Sequence, residues 1–297
     1  METKPGCFEN IQFFILRTII NLMSLIPPES YGFLSGIIGR LWLRIDKRHA
    51  KIALENMWSA YGMSLPEKDI LDLRERHFIQ FARLLFDIPR IFRLKKSNLD
   101  DFVLFEGTYN LQKAFESNKG VMLITAHMGN WELMAVSVPI RFGKSLNVIA
   151  RPLDYEPMGR IANELREISG NRVLNKYDAG GIMRRLLAGR ESVGILLDQK
   201  ASGSQAVDVP FLGRPALTNK VAALLALRYD ACVVPAFNYR MPDGRYRVIF
   251  DKPVKLTKSG DTSADIIDNT RRFNQIIEKH VRAAPENWFW THRRWRH

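Results

Sequence analysis

After residue 101 the chain alternates short apolar runs with longer helical stretches, and this alternation limits its fold more than any other feature. The apolar runs, each of strand length, are residues 103–105, 121–126, 146–150, 193–197, 232–238 and 246–250. The helical stretches between them are residues 109–117, 131–142, 158–169, 179–188 and 217–228. Continuous apolar strands that alternate with helices are typical of a mostly parallel sheet covered on both faces. The pattern therefore predicts an α/β fold with a mixed, mostly parallel sheet flanked by helices, in which the later strands near residues 207–209 and 246–250 pair antiparallel.

The first hundred residues are predicted to form helices. Residues 11–26 are a very apolar stretch that ends at Pro27 and Pro28, and a second helix follows to about Asp46. Pro66 suits the first turn of a third helix, in which apolar residues recur at helical spacing to about Phe86. The chain therefore begins with a helical layer that precedes the sheet.

The apolar stretch of residues 11–26 is too short to span a bilayer comfortably, since a full span needs about 20 apolar residues. It also contains Arg17 and Asn21. We therefore expect a helix that lies in or dips into one leaflet; a short transmembrane anchor and a buried core helix are the alternatives. A basic cluster that suits anionic headgroups follows the second helix, at Arg40, Arg44, Lys47, Arg48 and His49. We predict a membrane-associated helical segment over residues 1–46 and a single domain over residues 47–297.

The chain is strongly basic, with 44 Lys and Arg against 31 Asp and Glu and a formal charge of +13. Such an excess indicates an anionic partner, which can be a nucleic acid, an acidic lipid or an acidic carrier protein; a solvated basic surface is the alternative. No helix-turn-helix, RNP-type or zinc-finger pattern favours nucleic acid. The two cysteines, Cys7 and Cys232, form neither a metal-ligand pattern nor a disulfide framework, and they indicate a reducing environment.

The strongest local feature is the segment from His127 to Glu132, which follows the apolar run 121–126 directly. Sites in open α/β sheets form at the carboxyl ends of strands, so His127 stands where chemistry is usually found. Glu132 lies in the first turn of the next helix, from which it can reach back to orient the imidazole. The simplest scheme has His127 remove a proton from a hydroxyl that then attacks a thioester. The alternative is a histidine satisfied by local backbone groups.

Other kinds of chemistry lack their motifs in this sequence. There is no zinc-ligand spacing around His127, no Gly-x-Ser-x-Gly elbow, no P-loop and no Gly-x-Gly-x-x-Gly. We therefore predict neither a metal nor a cofactor.

The C-terminal tail, after a last helix predicted over residues 262–282, mixes aromatic and basic residues. Its members are Trp288, Phe289, Trp290 and Trp295 with Arg293, Arg294 and Arg296. Trp and Arg together suit a lipid headgroup interface. Nucleic-acid stacking and packing as core are the alternatives.

Several segments in a fixed order carry a family resemblance. They are His127-Met-Gly-Asn-Trp-Glu132, Ala150-Arg-Pro-Leu-Asp154, Leu197-Asp-Gln199, Val209-Pro-Phe-Leu-Gly213 and Pro285-Glu-Asn-Trp-Phe-Trp290, together with the apolar N-terminal helix and the basic segment 47–56. The first contains the His-x4-Asp/Glu motif of the glycerolipid acyltransferase superfamily. Over most of its length the chain resembles the late acyltransferases of lipid A biosynthesis, the lauroyl and myristoyl transferases of Gram-negative bacteria.

The resemblance implies a glycerol-3-phosphate acyltransferase-like fold and a reaction at the cytoplasmic face of the inner membrane. The expected donor is an acyl carrier protein thioester, the expected acceptor is a phosphorylated glycolipid precursor of lipid A, and nucleic acid is not an expected partner. Coenzyme A as the donor is an alternative. An acceptor of another lipid class, such as a lysophospholipid, glycolipid or aminolipid, and a basic membrane-surface or nucleic-acid-binding protein without catalysis also stay open.

The resemblance also assigns roles to individual residues. His127 and Glu132 match the catalytic pair, and Arg151, Asp198 and Asn130 are expected to bind substrate. Arg151 is expected to contact a phosphate or the developing oxyanion, with a surface salt bridge as the alternative. Asp198 ends an apolar run and is expected to orient Arg151 or His127, with a cap or turn residue as the alternative.

Overall fold

The computed structural model describes residues 6–175 and 179–295. The helices in these residues are α1 (Cys7–Met23), α2 (Tyr31–Ile45), α3 (Lys47–Tyr61), α4 (Glu67–Ile91), α5 (Thr108–Glu116), α6 (Trp131–Phe142), α7 (Glu156–Glu167), α8 (Ala179–Ala188), α9 (Val221–Arg228) and α10 (Thr262–Ala283). The strands are β1 (Val103–Glu106), β2 (Val121–Thr125), β3 (Asn147–Ala150), β4 (Arg172–Asn175), β5 (Ser192–Leu196), β6 (Ala206–Phe211), β7 (Arg214–Asn219), β8 (Cys232–Arg240) and β9 (Tyr246–Phe250).

The main sheet has the strand order β1-β9-β8-β2-β5-β3-β4. Its neighbours pair in parallel except β8 and β9, which are antiparallel. Strands β6 and β7 form a separate antiparallel hairpin. The predicted α/β fold with a mixed, mostly parallel sheet is therefore confirmed, as is the antiparallel pairing of the later strands, each with its own neighbour.

The central strand β2 is buried along its whole length, which explains its continuous apolar sequence. Met122 and Ile124 contribute to the core on one face of the sheet, and Val121 and Leu123 contribute to the core on the other. This alternation follows from the two-residue period of a strand. The sheet thus separates two apolar layers, and its central strand leads directly to His127.

The N-terminal helices pack on the domain by one face only. Gly39 of α2 lies so close to α4 that an added Cβ would be 2.5 Å from the Cα of Ile79. In α1 only Phe13 and Ile20 are buried, which differs from the alternative of a buried core helix. Large apolar side chains on both helices are exposed, namely Phe8, Ile11, Phe14, Ile15, Ile19 and Leu22 in α1 and Phe33, Ile37, Leu41 and Ile45 in α2.

No single helix within residues 6–175 and 179–295 is long and apolar enough to cross a membrane. Together α1 and the segment Pro28–Ile45 have enough length and apolar character, but they meet at a bend of 99°.

The predicted elements differ from the structure in a few places. The prediction of a helix over 217–228 is wrong at its start, because Leu217 pairs with Asp208 in the β6–β7 hairpin and helix α9 begins only at Val221. The edge strand β4 was not predicted, since Arg-Val-Leu-Asn is short and partly polar. Helix α4 continues past Phe86 to Ile91 and contains Pro89 in its last turn.

Candidate active site

Two adjacent parallel strands bring His127 and Asp198 to the same edge of the sheet. In the pairing of β2 with β5, Thr125 lies opposite Leu196. His127 and Asp198 each follow two residues after these partners, so the register places them side by side at the carboxyl ends of the strands. The site therefore arises from sheet topology, with its two parts separated by 71 residues in sequence.

Asp198 holds His127 through two hydrogen bonds, one to the imidazole and one to the backbone. The ring Nδ1 lies 2.9 Å from Asp198 Oδ1, and the His127 backbone N–H donates to Asp198 Oδ2 at 3.0 Å. A carboxylate at Nδ1 places the proton on that nitrogen and leaves the lone pair on Nε2. The His127 side chain is 21% exposed, whereas the Asp198 side chain is 2% exposed. The imidazole can therefore accept a proton at Nε2 from a group that arrives from outside.

Asp198 is a buried carboxylate with several donors. Trp288 Nε1 donates to Asp198 Oδ2 at 2.8 Å. Burial by itself raises the pKa of Asp198, but the neighbouring His127 charge and the hydrogen bonds from His127 and Trp288 more than offset it, and the pKa is lowered. Asp198 is therefore ionised at neutral pH and stabilises an imidazolium when His127 gains a proton.

The Glu132 carboxylate binds Arg166 and Trp131 and not the His127 ring. Its carboxylate accepts two hydrogen bonds from Arg166, from Nε at 2.9 Å and from Nη2 at 2.6 Å, and a third from Trp131 Nε1 at 3.1 Å. Burial alone lowers the pKa of Arg166, yet the Glu132 pairing raises it overall. The structure therefore differs from the expected Glu132–imidazole contact: Glu132 pairs with Arg166 of α7, and His127 pairs with Asp198, two residues after β5.

The loop between β2 and α6 is built from residues with strict backbone requirements. Gly129 has φ of +58°, and a Cβ there would lie 2.1 Å from Asn238 Oδ1. Asn130 caps α6, because its Oδ1 accepts from Leu133 N at 2.9 Å. Its Nδ2 donates to Asp87 at 3.2 Å. Both polar ends of Asn130 therefore bind within the protein, which favours a structural role over the predicted contact with substrate.

The C-terminal segment, residues 285–295, packs against one side of the site. Phe289 N donates to the His127 carbonyl, and Gly129 N donates to the Asn287 carbonyl, both at 2.9 Å. Trp288 and Trp290 are 1% and 0% exposed, so the prediction of a headgroup interface is wrong for these two residues and the alternative of core packing is correct. Arg294 is also fully buried. Arg296 lies outside the described residues.

Two aromatic rings pack beside the imidazole. The ring of Trp131 meets the His127 ring edge to face at 5.1 Å between centroids, and the Phe289 ring lies at 6.2 Å. Phe81 of α4 packs behind Phe289 at 5.3 Å. These rings restrict the directions in which the imidazole can turn.

Arg151 follows β3, which is the next strand beyond β5 in the sheet. It is therefore at the same edge as Asp198. Its guanidinium contacts Asp154, and its side chain is 58% exposed. The alternative of a surface salt bridge is seen, and the predicted phosphate contact stays a prediction.

Among residues 6–175 and 179–295, no three His, Cys, Asp or Glu side chains come close enough together to hold a metal ion.

The chain as a whole matches a known family. A family model of the bacterial lipid A biosynthesis acyltransferases matches residues 8–297. The chain belongs to this family. It is therefore an acyltransferase, and the resemblance inferred from its motifs is confirmed.

Individual relatives of this acyltransferase are distant but cover most of its length. The lipid A biosynthesis lauroyltransferase of Escherichia coli K12 is 25% identical over 262 residues, which cover 87% of this chain and 83% of the relative. The lipid A biosynthesis palmitoleoyltransferase of the same organism is 24% identical over 277 residues, 91% of this chain and 86% of the relative. A lipid A biosynthesis acyltransferase of Haemophilus influenzae is 23% identical over 257 residues, 86% and 79% of the two chains.

Sequence reasoning missed three residues around the site of this acyltransferase. No feature of the sequence distinguished Arg166, because an arginine on an amphipathic helix is commonplace. Trp288 was noted as part of the tail, but its contact with Asp198 joins positions 90 residues apart. Asp87 lies inside a helix, where only a buried acidic residue among apolar neighbours could have drawn attention.

Proposed function

We propose that this protein transfers a fatty acyl chain from an acyl carrier protein thioester to a hydroxyl of a phosphorylated glycolipid precursor of lipid A, with His127 as the general base. The observation that carries the proposal is the contact between His127 Nδ1 and the buried Asp198, which leaves the lone pair on Nε2 to take a proton. Only a long contact of 3.4 Å from Gln199 Nε2 faces that nitrogen among the described residues, and an acceptor hydroxyl can displace it. The family to which the chain belongs supports the type of acceptor.

The proposed reaction proceeds without a covalent acyl-enzyme. Nε2 of His127 takes the proton of the acceptor hydroxyl while its oxygen attacks the thioester carbonyl carbon. The new C–O bond gives a tetrahedral intermediate, which collapses as the C–S bond breaks. The imidazolium then returns the proton to the leaving thiolate. Asp198 stabilises the imidazolium throughout, and general base catalysis of this kind contributes roughly 10²–10⁴-fold in rate.

Glu132 and Arg166 form the second charged pair beside the imidazole. We propose that Glu132, the acidic residue of the family motif, acts by holding Trp131 and Arg166 rather than by contacting His127. Its hydrogen bonds support this role: the two from Arg166 fix the carboxylate, and the one from Trp131 Nε1 fixes the indole that packs against the His127 ring. Arg151 is proposed to bind the acceptor phosphate, because it lies at the same sheet edge and a guanidinium suits phosphate.

The net charge of the protein supports acyl carrier protein as the proposed acyl donor. The net charge of +13 favours association with an acidic carrier protein, because complementary charges raise the rate of encounter. An acyl chain of about ten methylenes would add roughly 8 kcal/mol of apolar burial before ordering costs, at about 0.8 kcal/mol for each methylene.

We also propose that α1 and α2 lie in one leaflet at the cytoplasmic face of the inner membrane. Their exposed apolar side chains, defined above, support this, because monomeric soluble proteins rarely expose contiguous apolar surface of this kind. The bend of 99° between the helices suits a structure that enters a leaflet and returns. Arg44, in the last turn of α2, is exposed and can meet anionic headgroups, whereas Arg40 pairs with Glu75 at 2.7 Å.

The test uses purified full-length protein in detergent micelles, dodecanoyl-acyl carrier protein and a phosphorylated diglucosamine lipid. Transfer of the acyl chain is expected for the wild type and is expected to fall by about 10²–10⁴-fold in His127→Ala. An unchanged rate in that variant would disprove the mechanism. His280→Ala is the matched control, since His280 also contacts a carboxylate, that of Asp251, at 2.8 Å but lies outside the site.

The same assay separates the donor and acceptor alternatives. Dodecanoyl-coenzyme A offered in place of the carrier thioester tests the donor, and a lysophospholipid offered with the diglucosamine lipid tests the acceptor. Preference for coenzyme A or for the lysophospholipid would overturn those parts of the proposal while leaving His127 in place. Intact-protein mass measured after mixing with donor alone should stay unchanged, because no acyl-enzyme forms.

A further inference from the structure

A buried polar cluster lies behind the loop that carries His127, and the proposed reaction makes no use of it. Its charged members are Asp87, near the end of α4, and Arg240, the last residue of β8, and both side chains are almost fully buried. We propose that Asp87, neutralised by Arg240, is a positioning residue: it fixes the loop between β2 and α6 through Asn130 and so sets the place of His127.

Three donors converge on one oxygen of Asp87. Oδ2 accepts from Arg240 Nη2, from the Tyr246 hydroxyl at 2.6 Å and from Asn130 Nδ2 at 3.2 Å. Burial, followed by the negative charge of Asp87, raises the pKa of Tyr246 well above its usual range, so the phenol stays protonated and donates. The carboxylate thus has a fixed position, and the weakest of its three hydrogen bonds goes to the loop.

Asn130 transmits this position in two directions. Its Nδ2 binds Asp87, while its Oδ1 accepts from Leu133 N and thereby starts α6. The backbone N–H of the same residue donates to Asn238 Oδ1 at 2.6 Å. Because Asn238 and Arg240 are two residues apart on β8, they lie on the same face of the strand. Asn130 is therefore held at three points, three residues after His127.

The loop is consequently fixed at both ends by buried carboxylates from different elements. Asp198 binds the backbone N–H and ring of His127 at one end, and Asp87 binds the side chain of Asn130 at the other. Between them Gly129 lies against Asn238 too closely for any side chain. The loop can shift only if one of these contacts breaks.

Stability alone is a weak reason for such a cluster. A buried ion pair adds little net stability compared with apolar residues of similar volume, because both charges lose their hydration. A charged acceptor does supply short and directional hydrogen bonds. Because the Asp87 carboxylate accepts a hydrogen bond from Asn130, the loop has a defined geometry. A displacement of the base by about 1 Å can lower the rate by about 10²-fold.

The experiment separates positioning from folding by replacing both charges at once. In D87L/R240M neither member of the ion pair is left without its partner, but Asn130 Nδ2 and the Tyr246 hydroxyl lose their acceptor. The variant is measured in the acyl-transfer assay described above, alone and combined with Asn130→Ala. The matched control is D251L/H280M, which removes a carboxylate–histidine pair, at 2.8 Å, from the interface of β9 and α10.

The expected result is a fall in kcat on the order of 10–100-fold in D87L/R240M, with KM unchanged for both substrates, as is usual when the support of a reacting group is removed. Adding Asn130→Ala to D87L/R240M should cost less than the same change costs in the wild type, because the connection to Asp87 is already broken and only the cap of α6 is left to lose. The control should keep the wild-type kcat even if its melting temperature falls as far.

Two outcomes would overturn the inference: a wild-type kcat in D87L/R240M, or losses from the pair variant and from Asn130→Ala that multiply. If circular dichroism shows that D87L/R240M does not fold, Asp87→Asn takes its place in the same cycle with the same two criteria. The inference rests on His127 as the base of the proposed function. If His127→Ala keeps the wild-type rate, the proposed function fails; if that variant is inactive while D87L/R240M keeps its kcat, only this inference fails.

Discussion

At the residue scale, the site depends on which carboxylate reaches the imidazole. Two acidic residues were candidates from the sequence, Glu132 within the motif and Asp198 at the end of an apolar run. Sequence proximity favoured Glu132, but strand register puts Asp198 opposite His127. The Glu132 carboxylate instead forms a salt bridge with Arg166. A five-residue spacing alone could not reveal this exchange, because both partners come from distant parts of the chain.

Trp288 offers a test at this scale, because its indole N–H donates to Asp198. Trp288→Phe keeps the aromatic bulk but removes this donor, so Asp198 should hold His127 less firmly. We expect kcat to fall on the order of 10-fold with KM unchanged, in line with other residues that orient a reacting group. Steady-state kinetics measure this change.

Trp290→Phe is the control for Trp288→Phe. Trp290 is equally buried, but its Nε1 donates to the Pro285 carbonyl at 2.7 Å and not to Asp198. Equal losses of kcat in the two variants would show that lost packing, rather than the hydrogen bond to Asp198, is responsible.

At the element scale, most helices and strands could be predicted from the sequence, but which of them lie side by side could not. The apolar runs at 121–126 and 193–197 were recognisable as strands because both are short and continuously apolar, as is usual in a parallel sheet. Their adjacency was not, since order in a sheet depends on long-range packing. The start of α9 was misplaced because Leu217 fits the apolar pattern of a helix while pairing in a hairpin. The loop after β2 could be located but its supports could not.

Gly129 tests the loop at this scale. In Gly129→Ala the new Cβ would meet Asn238 Oδ1 at 2.1 Å and the Asn238 carbonyl oxygen at 2.4 Å, so the loop must move. We expect a loss of kcat and of unfolding free energy that exceeds the roughly 1–2 kcal/mol of left-handed backbone strain alone. Urea unfolding and the transfer assay measure the two effects.

Gly143→Ala provides the comparison for Gly129→Ala. Gly143 has φ of +65°, but nothing lies within 4 Å of an added Cβ. It should show the backbone strain without loss of kcat. If both glycine variants behave alike, close contact with Asn238 is not what fixes the loop.

The exposed face of α1 makes a second element-scale prediction. F14S/I15S removes two apolar side chains that are more than half exposed. If they enter a leaflet, each contributes about 1.5–3 kcal/mol of apolar burial, and the affinity for vesicles of anionic phospholipid should fall by at least about 10-fold. Vesicle flotation measures it. Leu104→Ser, an exposed apolar residue on β1, should leave binding unchanged; an equal effect of both variants would argue against an α1 contact.

At the scale of the whole molecule, the N-terminal helices and the site are parts of one packed structure. Helix α7 connects them: Arg160 lies over the Phe13 ring of α1 at 3.8 Å, and Arg166, almost two turns further along, holds Glu132. The C-terminal segment contributes Trp288 to the site and buries Arg294 beneath it. The boundary predicted at residue 46 stays a prediction, although α2 packs closely on α4 across it.

Folding of the whole molecule should depend on pH through His77. This residue of α4 is fully buried against the C-terminal segment, and burial lowers its pKa to about 3, partly countered by the backbone of Glu286 and Trp288. Below about pH 6.5 the unfolded chain binds a proton at this position that the folded chain does not, so stability falls as pH decreases. Between pH 7 and pH 5 this single group should remove about 2 kcal/mol.

Urea unfolding of wild type and His77→Leu at these two pH values measures the contribution of His77. The wild type should lose about 2 kcal/mol more than the variant on acidification. An equal loss in both proteins would show that other groups account for the acid sensitivity. Asp198 and Asp251, whose pKa values are lowered in the fold, act in the same direction but at more acidic pH, and both are present in the variant.

The central claim is that Asp198, and not Glu132, orients the general base, and it is tested most directly by kcat for acyl transfer in Asp198→Asn, an isosteric change. An amide at that position cannot stabilise the imidazolium and favours the wrong tautomer, so kcat should fall on the order of 10³–10⁴-fold. Glu132→Gln keeps the contact with Trp131 and weakens that with Arg166, and its kcat should fall much less. A kcat that collapses in Glu132→Gln but stays near wild type in Asp198→Asn would contradict the account.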